Sequence, residues 1–372
     1  PGVQRLTSVA KPHWQYGYLQ DGNKVIDPLL HYGCFTLGFD IHDILDYVYD
    51  NIKVKPEIAE SIVQNENLYL NEPSYELSDK LFLMTGYKSI FALSGSDANE
   101  GAIKLASAYQ KLVGQHKRTK IVCFENSYHG STFLNYNMGD SLFNDPFYTL
   151  KPYDQVIRLK RDFDINAVDW QDVMCVMVET CSYGQQLRPN TEEFWNKIKQ
   201  IQQQGVIVIV DDIFIGGGKT GSFAGWKQTP IQPDIFTMGK AITAGFFPLS
   251  ITMYNEKIDD VLPEEFDWEH GFTYNYSLPG VLSCIKYIDI LHKEQLMTQH
   301  HSIVATAKTI FEEAGYSIVG QFGTLFDLLK GDDHKFFIIP INATEEYFTV
   351  LKLSLIHISE PTRRRGISYA VF

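Results

Sequence analysis

The chain has 372 residues, of which 44% are hydrophobic, 13% aromatic and 21% charged, and this balance excludes a disordered, collagen-like or low-complexity protein. Its length predicts two or three domains, or one large domain with an appendage. The 32 lysines and arginines against 45 acidic residues give a formal net charge of −13, which argues against a nucleic-acid partner because such binding needs clustered cations.

Cysteine usage and hydropathy bear on compartment and on metal binding. Five cysteines occur without a CxxC pair, so we expect neither a disulfide framework nor a metal site. No apolar run approaches the ~18 residues of a membrane helix. The segment Pro1–Arg5 has neither an initiator Met nor the start of a secretory signal. We therefore expect a trimmed chain or fragment of a cytoplasmic protein without a membrane partner.

The first 60 residues differ in pattern from the middle of the chain. Tyr16–Asn23 has glycine and aspartate at turn positions and predicts a hairpin. This hairpin leads into the apolar segment Ile41–Val54, which predicts a helix.

The middle of the chain alternates short apolar runs with helical patterns, as in a parallel sheet with crossover helices. The pattern predicts helices at Ala98–Val113 and Thr191–Gln203, the second ending at Gly205. We therefore expect an α/β fold with a mostly parallel sheet, whose ligands bind at the carboxyl ends of the strands. The predicted strands are Ser89–Leu93, Lys120–Phe124, Val173–Glu179, Val206–Asp211, Ile235–Met238 and Leu249–Tyr254.

After residue 300 the pattern predicts a helix at Ile303–Ala314 and strands at Tyr316–Val319 and Phe336–Ile341. The tail from Leu353 is similar to the translation of a transposon-end adaptor used in sequencing libraries, so we expect it to be foreign. The predicted division is a small domain built from residues 1–60 and a truncated 296–352, a large α/β domain at 61–295, and a foreign tail at 353–372.

Ser94-Gly95-Ser96-Asp97 is the first segment that could carry chemistry, because it follows a predicted strand and precedes a predicted helix. A helix N-terminus offers unpaired N–H groups and the positive end of the dipole, and Gly95 allows close approach of an anion. The alternative is that Ser96 or Asp97 only caps the helix.

A second candidate is the acid pair Asp211-Asp212, placed at the carboxyl end of a strand whose continuous apolar run predicts burial on both faces. These acids could hold Mg²⁺, cap the following turn or face a positively charged heteroaromatic nitrogen. The glycine-rich run that follows, residues 216–221, is not a phosphate loop, because Ile213 stands where that motif needs glycine.

Lys240 follows the next predicted strand and is flanked by Gly239 and Ala241. Partial burial there would lower its pKa and make its neutral amine a nucleophile for carbonyls, although a solvated lysine is the alternative. An anion cradle, a strand-end acid and a strand-end lysine, in this order, are the parts that a protein supplies to pyridoxal phosphate.

At this point the sequence resembles the fold-type-I, class III pyridoxal-phosphate aminotransferases, through six motifs in the family's order from about Trp14 to Pro279. The matching segments are Phe91–Ala106 (SG[ST]EANE-type), Ser127–Thr132 (YHG[ST]T-type), Glu179-Thr180 (the family's EP), Asp211–Gly221 (DE-x-x-x-GxGRTG-type), Pro233–Lys240 (PD-x-x-x-x-GK-type) and His270–Tyr274 (HG-x-T[YF]-type).

The resemblance implies a role for each matched residue. Lys240 is implied as the Schiff-base lysine and Asp211 as the partner of the pyridinium nitrogen, and these two are the expected catalytic residues. The other implied cofactor contacts are Gly95 and Ser96 at the phosphate, Tyr128 on the ring face with His129 beside it, Glu179, Ile213 under the ring, and Thr273 reaching the phosphate of a neighbouring subunit.

The resemblance also implies ping-pong transamination between an amine or ω-amino acid donor and an oxo-acid or aldehyde acceptor, in a homodimer with sites at the interface. The alternatives are a glutamate-1-semialdehyde-type aminomutase and a cofactor-binding protein with impaired catalysis. Departures from the family pattern include Phe214, Lys219 in place of arginine, and one extra residue between Thr273 and Pro279. Candidate substrate residues are Tyr18, Tyr32 and Arg188.

Overall fold

The computed structural model describes residues 11–12, 17–18, 24–38, 41–54, 72–139, 146–148, 154–264, 266 and 268–359. In these ranges no helix is both long and apolar enough to cross a membrane.

The chain begins with a small antiparallel sheet of three two-residue strands, β1 (Lys11–Pro12), β2 (Gly17–Tyr18) and β3 (Lys24–Val25). The pairing of β2 with β3 agrees with the predicted hairpin, whose tip at 19–23 lies outside the described residues, as does Tyr16. The predicted helix that follows is α1 (His42–Val54).

A left-handed turn at Leu30–Gly33 lies between the small sheet and α1. Leu30, His31 and Tyr32 have φ of 44°, 51° and 56°, and left-handed backbone costs about 1–2 kcal/mol for each residue with a side chain. The carboxylate of Asp27 offsets part of this cost, because it accepts the N–H groups of Leu29 at 2.9 Å and His31 at 2.8 Å. Burial of Leu30 also holds the turn in place.

A seven-stranded sheet forms the middle of the molecule, in the order β4-β10-β9-β8-β7-β5-β6. All six predicted strands are present, with ends that differ by one residue at most. The elements of this region are α2 (Glu72–Thr85), β4 (Lys88–Ala92), α3 (Gly95–Leu112), β5 (Lys120–Phe124), α4 (Phe133–Met138), β6 (Val156–Leu159), β7 (Val173–Glu179), α5 (Glu192–Gln203), β8 (Ile207–Asp211), β9 (Ile235–Met238), β10 (Ser250–Tyr254), α6 (Glu256–Asp259) and α7 (Leu278–Lys293).

The sheet is mostly parallel, as predicted, and two of its features are not contained in the prediction. Strand β10 runs antiparallel to both β4 and β9, because segment 239–249 is shorter than the dozen or so residues that a parallel crossover needs. Strand β6 was not predicted, since it is a half-buried edge strand in which Arg158 interrupts the apolar run.

Strands β7 and β8 are buried along their whole length, and their side chains alternate between two apolar clusters. Val208 and Val210 belong to one cluster, and Ile207 and Ile209 to the other. Both faces of the sheet are therefore covered, as the uninterrupted apolar run predicts. Glu179, Asp211 and Thr237 lie side by side near the carboxyl ends of β7, β8 and β9.

The C-terminal elements are α8 (Leu296–Glu313), β11 (Ser317–Phe322), β12 (Leu325–Lys330), β13 (Asp333–Ile338) and α9 (Glu345–Ser359), with the strands in one antiparallel sheet. Strand β12 was not predicted, because the buried Asp327, which pairs with His334 at 3.0 Å, interrupts its apolar pattern. Residues 353–359 continue α9, and Leu355 is buried in the C-terminal cluster. The predicted domain division and the foreign origin of the tail stay predictions.

Candidate active site

Asp211 is the centre of a buried polar network at the carboxyl end of β8. The side-chain amide of Asn99, on α3, donates to Asp211 Oδ2 and to the backbone carbonyl of His129, both at 2.8 Å. Thr237 Oγ1 donates to Asn99 Oδ1 at 2.7 Å. Because the hydroxyl occupies the amide oxygen, the amide nitrogen of Asn99 must face Asp211.

His129 and Ile213 complete the surroundings of this carboxylate. His129 Nδ1 lies 2.9 Å from Asp211 Oδ2, and the N–H of Ile213 donates to Asp211 Oδ1 at 3.2 Å. A carboxylate has about four acceptor positions, so one direction at Oδ1 remains open to a further donor. His129 Nε2 is buried and has no hydrogen-bond partner among the described residues.

Lys240 lies two residues beyond the end of β9, in a turn where its φ is 51°. Its Nζ is 4.9 Å from the centre of the Phe214 ring. Burial lowers the pKa of Lys240, while the charges of Cys34, Asp211 and Glu179 act in the opposite direction. At a given pH a larger fraction of Lys240 is therefore neutral than of a solvated lysine. Lys240 is also close enough to Asp211 for the two charges to interact.

The N-terminus of α3 presents backbone donors to the same region. Ser94 is the N-cap and its Oγ accepts the N–H of Asp97 at 3.2 Å. The capping alternative is thus correct for Ser94 rather than for Ser96 or Asp97. Capping leaves the N–H groups of Gly95 and Ser96 without a partner inside the helix, at the positive end of its dipole.

Three glycines allow the backbone around this helix end to pack closely. A Cβ on Gly95 would lie 2.8 Å from Ile213 Cδ1, and a Cβ on Gly239 would lie 3.4 Å from Ile213 Cγ2. A Cβ on Gly130, where φ is +121°, would lie 2.2 Å from Ser96 Oγ. Ile213 therefore lies between the helix N-terminus and the residue that precedes Lys240, and joins the two parts of the site.

Glu179 lies next to Asp211 in the sheet and accepts the backbone N–H of Tyr128 at 3.3 Å. Burial raises the pKa of Glu179 to about 7, with the His129 charge opposing the shift and that of Asp211 adding to it. This carboxyl group is therefore divided between its charged and neutral forms near neutral pH. The Tyr128 side chain is 42% exposed.

Asp212 does not face the same cleft as Asp211, since its carboxylate accepts the backbone N–H groups of Gly225 and Trp226. Of the three alternatives for this acid, capping of the following turn is the one the geometry supports. Thr180, which stands where the family has proline, donates from Oγ1 to Asp212 Oδ1 at 3.1 Å. Burial raises the pKa of Asp212 to about 6.

The remaining predicted residues have side chains that are exposed or lie outside the described residues. Thr273 is exposed in a loop, near His270, whose Nε2 is 3.1 Å from the backbone oxygen of Asp97. Tyr32 is 47% exposed on the left-handed turn, and the Tyr18 side chain lies outside the described residues. Arg188 is exposed and its Nε donates to the Val319 carbonyl at 3.4 Å, a position that gives its predicted substrate contact no support.

Sequence reasoning missed Asn99 and Thr237, although both had a signal. Asn99 lies three residues after Ser96 and so shares its helix face. Thr237 is the one polar residue in the buried strand Ile235–Met238, and a buried hydroxyl requires a partner.

Comparison with known proteins gives a family match over most of the chain. The family model "Aminotransferase class-III" matches residues 3–322. An uncharacterized aminotransferase of Sinorhizobium fredii is 27% identical over an alignment of 315 residues, which covers 74% of this chain and 64% of that protein. One from Archaeoglobus fulgidus is 27% identical over an alignment of 345 residues, which covers 91% of this chain and 76% of that protein. This chain thus spans slightly less than two thirds of the first relative and about three quarters of the second.

Solved structures with the same architecture include the taurine:2-oxoglutarate aminotransferase of Bifidobacterium kashiwanohense in complex with PLP and glutamate. Its TM-score to this chain is 0.76 at 18% sequence identity, with 95% of this chain and 93% of that chain covered. At this identity the likeness shows the fold, which is that of the fold-type-I transaminases.

Proposed function

The chain belongs to the class III aminotransferase family, and on that basis we propose that it transfers an amino group from an amine or ω-amino acid to an oxo-acid or aldehyde with pyridoxal phosphate as cofactor. The observation that carries this proposal is the juxtaposition of Lys240 and Asp211. A half-buried lysine with a lowered pKa follows β9, and an anchored carboxylate ends the adjacent β8.

The described residues fit this cofactor in their donor and acceptor chemistry. Asp211 has one open acceptor position, which suits a protonated ring nitrogen. The N–H groups of Gly95 and Ser96 at the start of α3 suit a phosphate. Ile213 lies between Gly95 and Gly239 and offers an apolar surface to a flat ring.

Pyridoxal phosphate, when bound, supplies a ring that withdraws electrons from the substrate carbon that carries the amino group. The chain supplies the remaining functions. Lys240 Nζ binds the cofactor and moves a proton at the reacting carbon. Asp211 keeps the ring nitrogen protonated, and Asn99 and His129 hold the Asp211 carboxylate in one orientation. Tyr128, His129 and Glu179 are proposed to border the ring.

We also propose a homodimer, because the family resemblance implies that Thr273, which is exposed in its loop, reaches the phosphate of a neighbouring subunit. A cytoplasmic location fits the five cysteines, which form no disulfide among the described residues. Light scattering coupled to size exclusion tests the dimer, and a monomeric protein with full turnover would contradict it.

A donor–acceptor screen tests the proposed activity. Purified protein is loaded with pyridoxal phosphate and offered amines and ω-amino acids with oxo-acid and aldehyde acceptors. We expect transfer of the amino group by wild-type protein and none by Lys240→Ala. Bound cofactor without turnover on any pair would favour the binding protein over the enzyme, and absence of cofactor binding would refute both.

A further inference from the structure

Lys219 is a second lysine near Lys240, and it connects two segments that are distant in sequence. Its side chain is fully buried. Its Nζ donates to the carbonyl of Gly216 at 2.6 Å, within the glycine-rich run, and to the carbonyl of Gly33 at 3.4 Å, at the end of the left-handed turn. A Cβ on Gly33 would lie 3.8 Å from Lys219 Cε, so the lysine stem also packs beneath the turn.

The segment that Lys219 holds, Gly33–Phe35, lies beside Lys240. A Cβ on Gly33 would be 3.6 Å from the ring of Phe214, the same ring that faces Lys240 Nζ. On the other side, a Cβ on Gly245 would be 2.9 Å from the Phe35 ring and 3.1 Å from Cys34 Cβ. Gly33–Phe35 is therefore packed between Phe214 and the turn that follows Lys240.

We propose that Lys219 is a positioning residue for the amino donor, because it ties Gly33–Phe35 to the glycine-rich run and so fixes one wall of the space around Lys240. This inference rests on the proposed aminotransferase function. Lys219 donates its described hydrogen bonds to backbone carbonyls. Replacement of Lys219 should therefore weaken binding of the amino donor and leave the chemical step nearly unchanged.

The two hydrogen bonds of Lys219 can form whether its amine is charged or neutral. Burial lowers the pKa of Lys219 to about 7, and the nearby Lys240 charge adds to the shift, while Cys34 and Asp212 oppose it. A neutral amine keeps two N–H donors, which are sufficient for the two carbonyls.

Lys219→Met tests the proposal, because methionine fills the same space without a donor. We expect the KM for the amino donor to rise about tenfold, as for the loss of one net hydrogen bond, with kcat within about threefold of wild type. Amide hydrogen exchange of a peptide covering residues 29–36 should become faster, and that of β8 should not change. Lys117→Met makes the same substitution at an exposed lysine and should change neither quantity.

Rescue and alternative outcomes separate positioning from general support of the fold. Lys219→Arg restores donors and should return the KM and the exchange of residues 29–36 towards wild type. If Lys219→Met does not fold, Lys219→Gln, which keeps a polar group but falls short of Gly33, should show the same two changes. Unchanged KM and exchange, or a large loss of kcat at constant KM, would overturn the proposal. If wild-type protein shows no turnover, the proposed function fails, and the exchange of residues 29–36 still decides whether Lys219 holds the segment.

Discussion

Replacement of Asp211 by asparagine is the substitution whose outcome follows most directly from the network around β8. Asp211 accepts hydrogen bonds at both oxygens, from Asn99, His129 and Ile213. The side-chain oxygen of an asparagine can accept the hydrogen bonds of Asn99 and His129 only if its NH₂ group faces the N–H of Ile213. One buried donor then loses its acceptor, which costs about 1–3 kcal/mol of stability.

The effect on activity should exceed the effect on folding, because Asp211→Asn also removes the charge that holds a proton on the cofactor ring. Loss of one preorganised electrostatic partner lowers kcat by about 10²–10³. The assay compares kcat at saturating donor, acceptor and pyridoxal phosphate, with urea unfolding measured in parallel. Asp172→Asn is the matched control, since Asp172 is a half-exposed carboxylate paired with Lys120 at 3.4 Å and such pairs contribute little. Turnover of Asp211→Asn within tenfold of wild type would refute the assigned role.

Three further predictions concern residues around the site. Thr180→Val should lower the free energy of unfolding in urea by about 1–3 kcal/mol, because Asp212 loses a buried donor, and an unchanged midpoint would show that this contact contributes nothing. Gly130→Ala should lower Tm far more than Gly114→Ala, since both glycines have positive φ but only at Gly130 would the new Cβ meet Ser96; equal losses would contradict the close approach. The pKa of Glu179 is raised in the folded protein to about 7 from 4.5. Between these pH values the native state binds more protons than the unfolded state. The contribution of Glu179 to the free energy of unfolding therefore falls as pH rises through this window, by up to about 1.4 kcal/mol per pH unit. Glu179→Gln should remove that part of the pH dependence in urea unfolding at pH 5, 6 and 7, and identical slopes for the two proteins would contradict the raised pKa.

The sequence predicts the central sheet well because burial on both faces leaves an unambiguous pattern. The apolar run that ends at Asp211 indicates a buried strand, and the positions of Asp211 and Lys240 at neighbouring strand ends follow from the α/β alternation. Strand direction is not contained in that pattern, so the prediction of a mostly parallel sheet does not say which strand is antiparallel. Strands β6 and β12 were missed because a half-buried edge and a buried Asp327 both interrupt the apolar periodicity.

The role of a site residue could be predicted where its residue type has few functions at the end of a strand or helix. It was harder to predict where contacts between distant segments determine the role. Asn99 on α3 and Thr237 on β9 are joined by a hydrogen bond between helix and sheet, and neither is unusual by itself. The roles of Asp212 and Lys219 depend on which way each side chain turns, Asp212 towards Gly225 and Lys219 towards Gly33. Local sequence contains no information about these partners, because Gly225 lies 13 residues from Asp212 and Gly33 lies 186 residues from Lys219.

Covalent trapping of the cofactor tests directly whether Lys240 is the lysine that binds pyridoxal phosphate. The protein is incubated with pyridoxal phosphate, reduced with borohydride and digested, and the modified peptide is identified by mass spectrometry. We expect one modified lysine, Lys240, and loss of the modification in Lys240→Ala. Modification of Lys219 or a surface lysine in place of Lys240, or no modification of the folded protein, would contradict it.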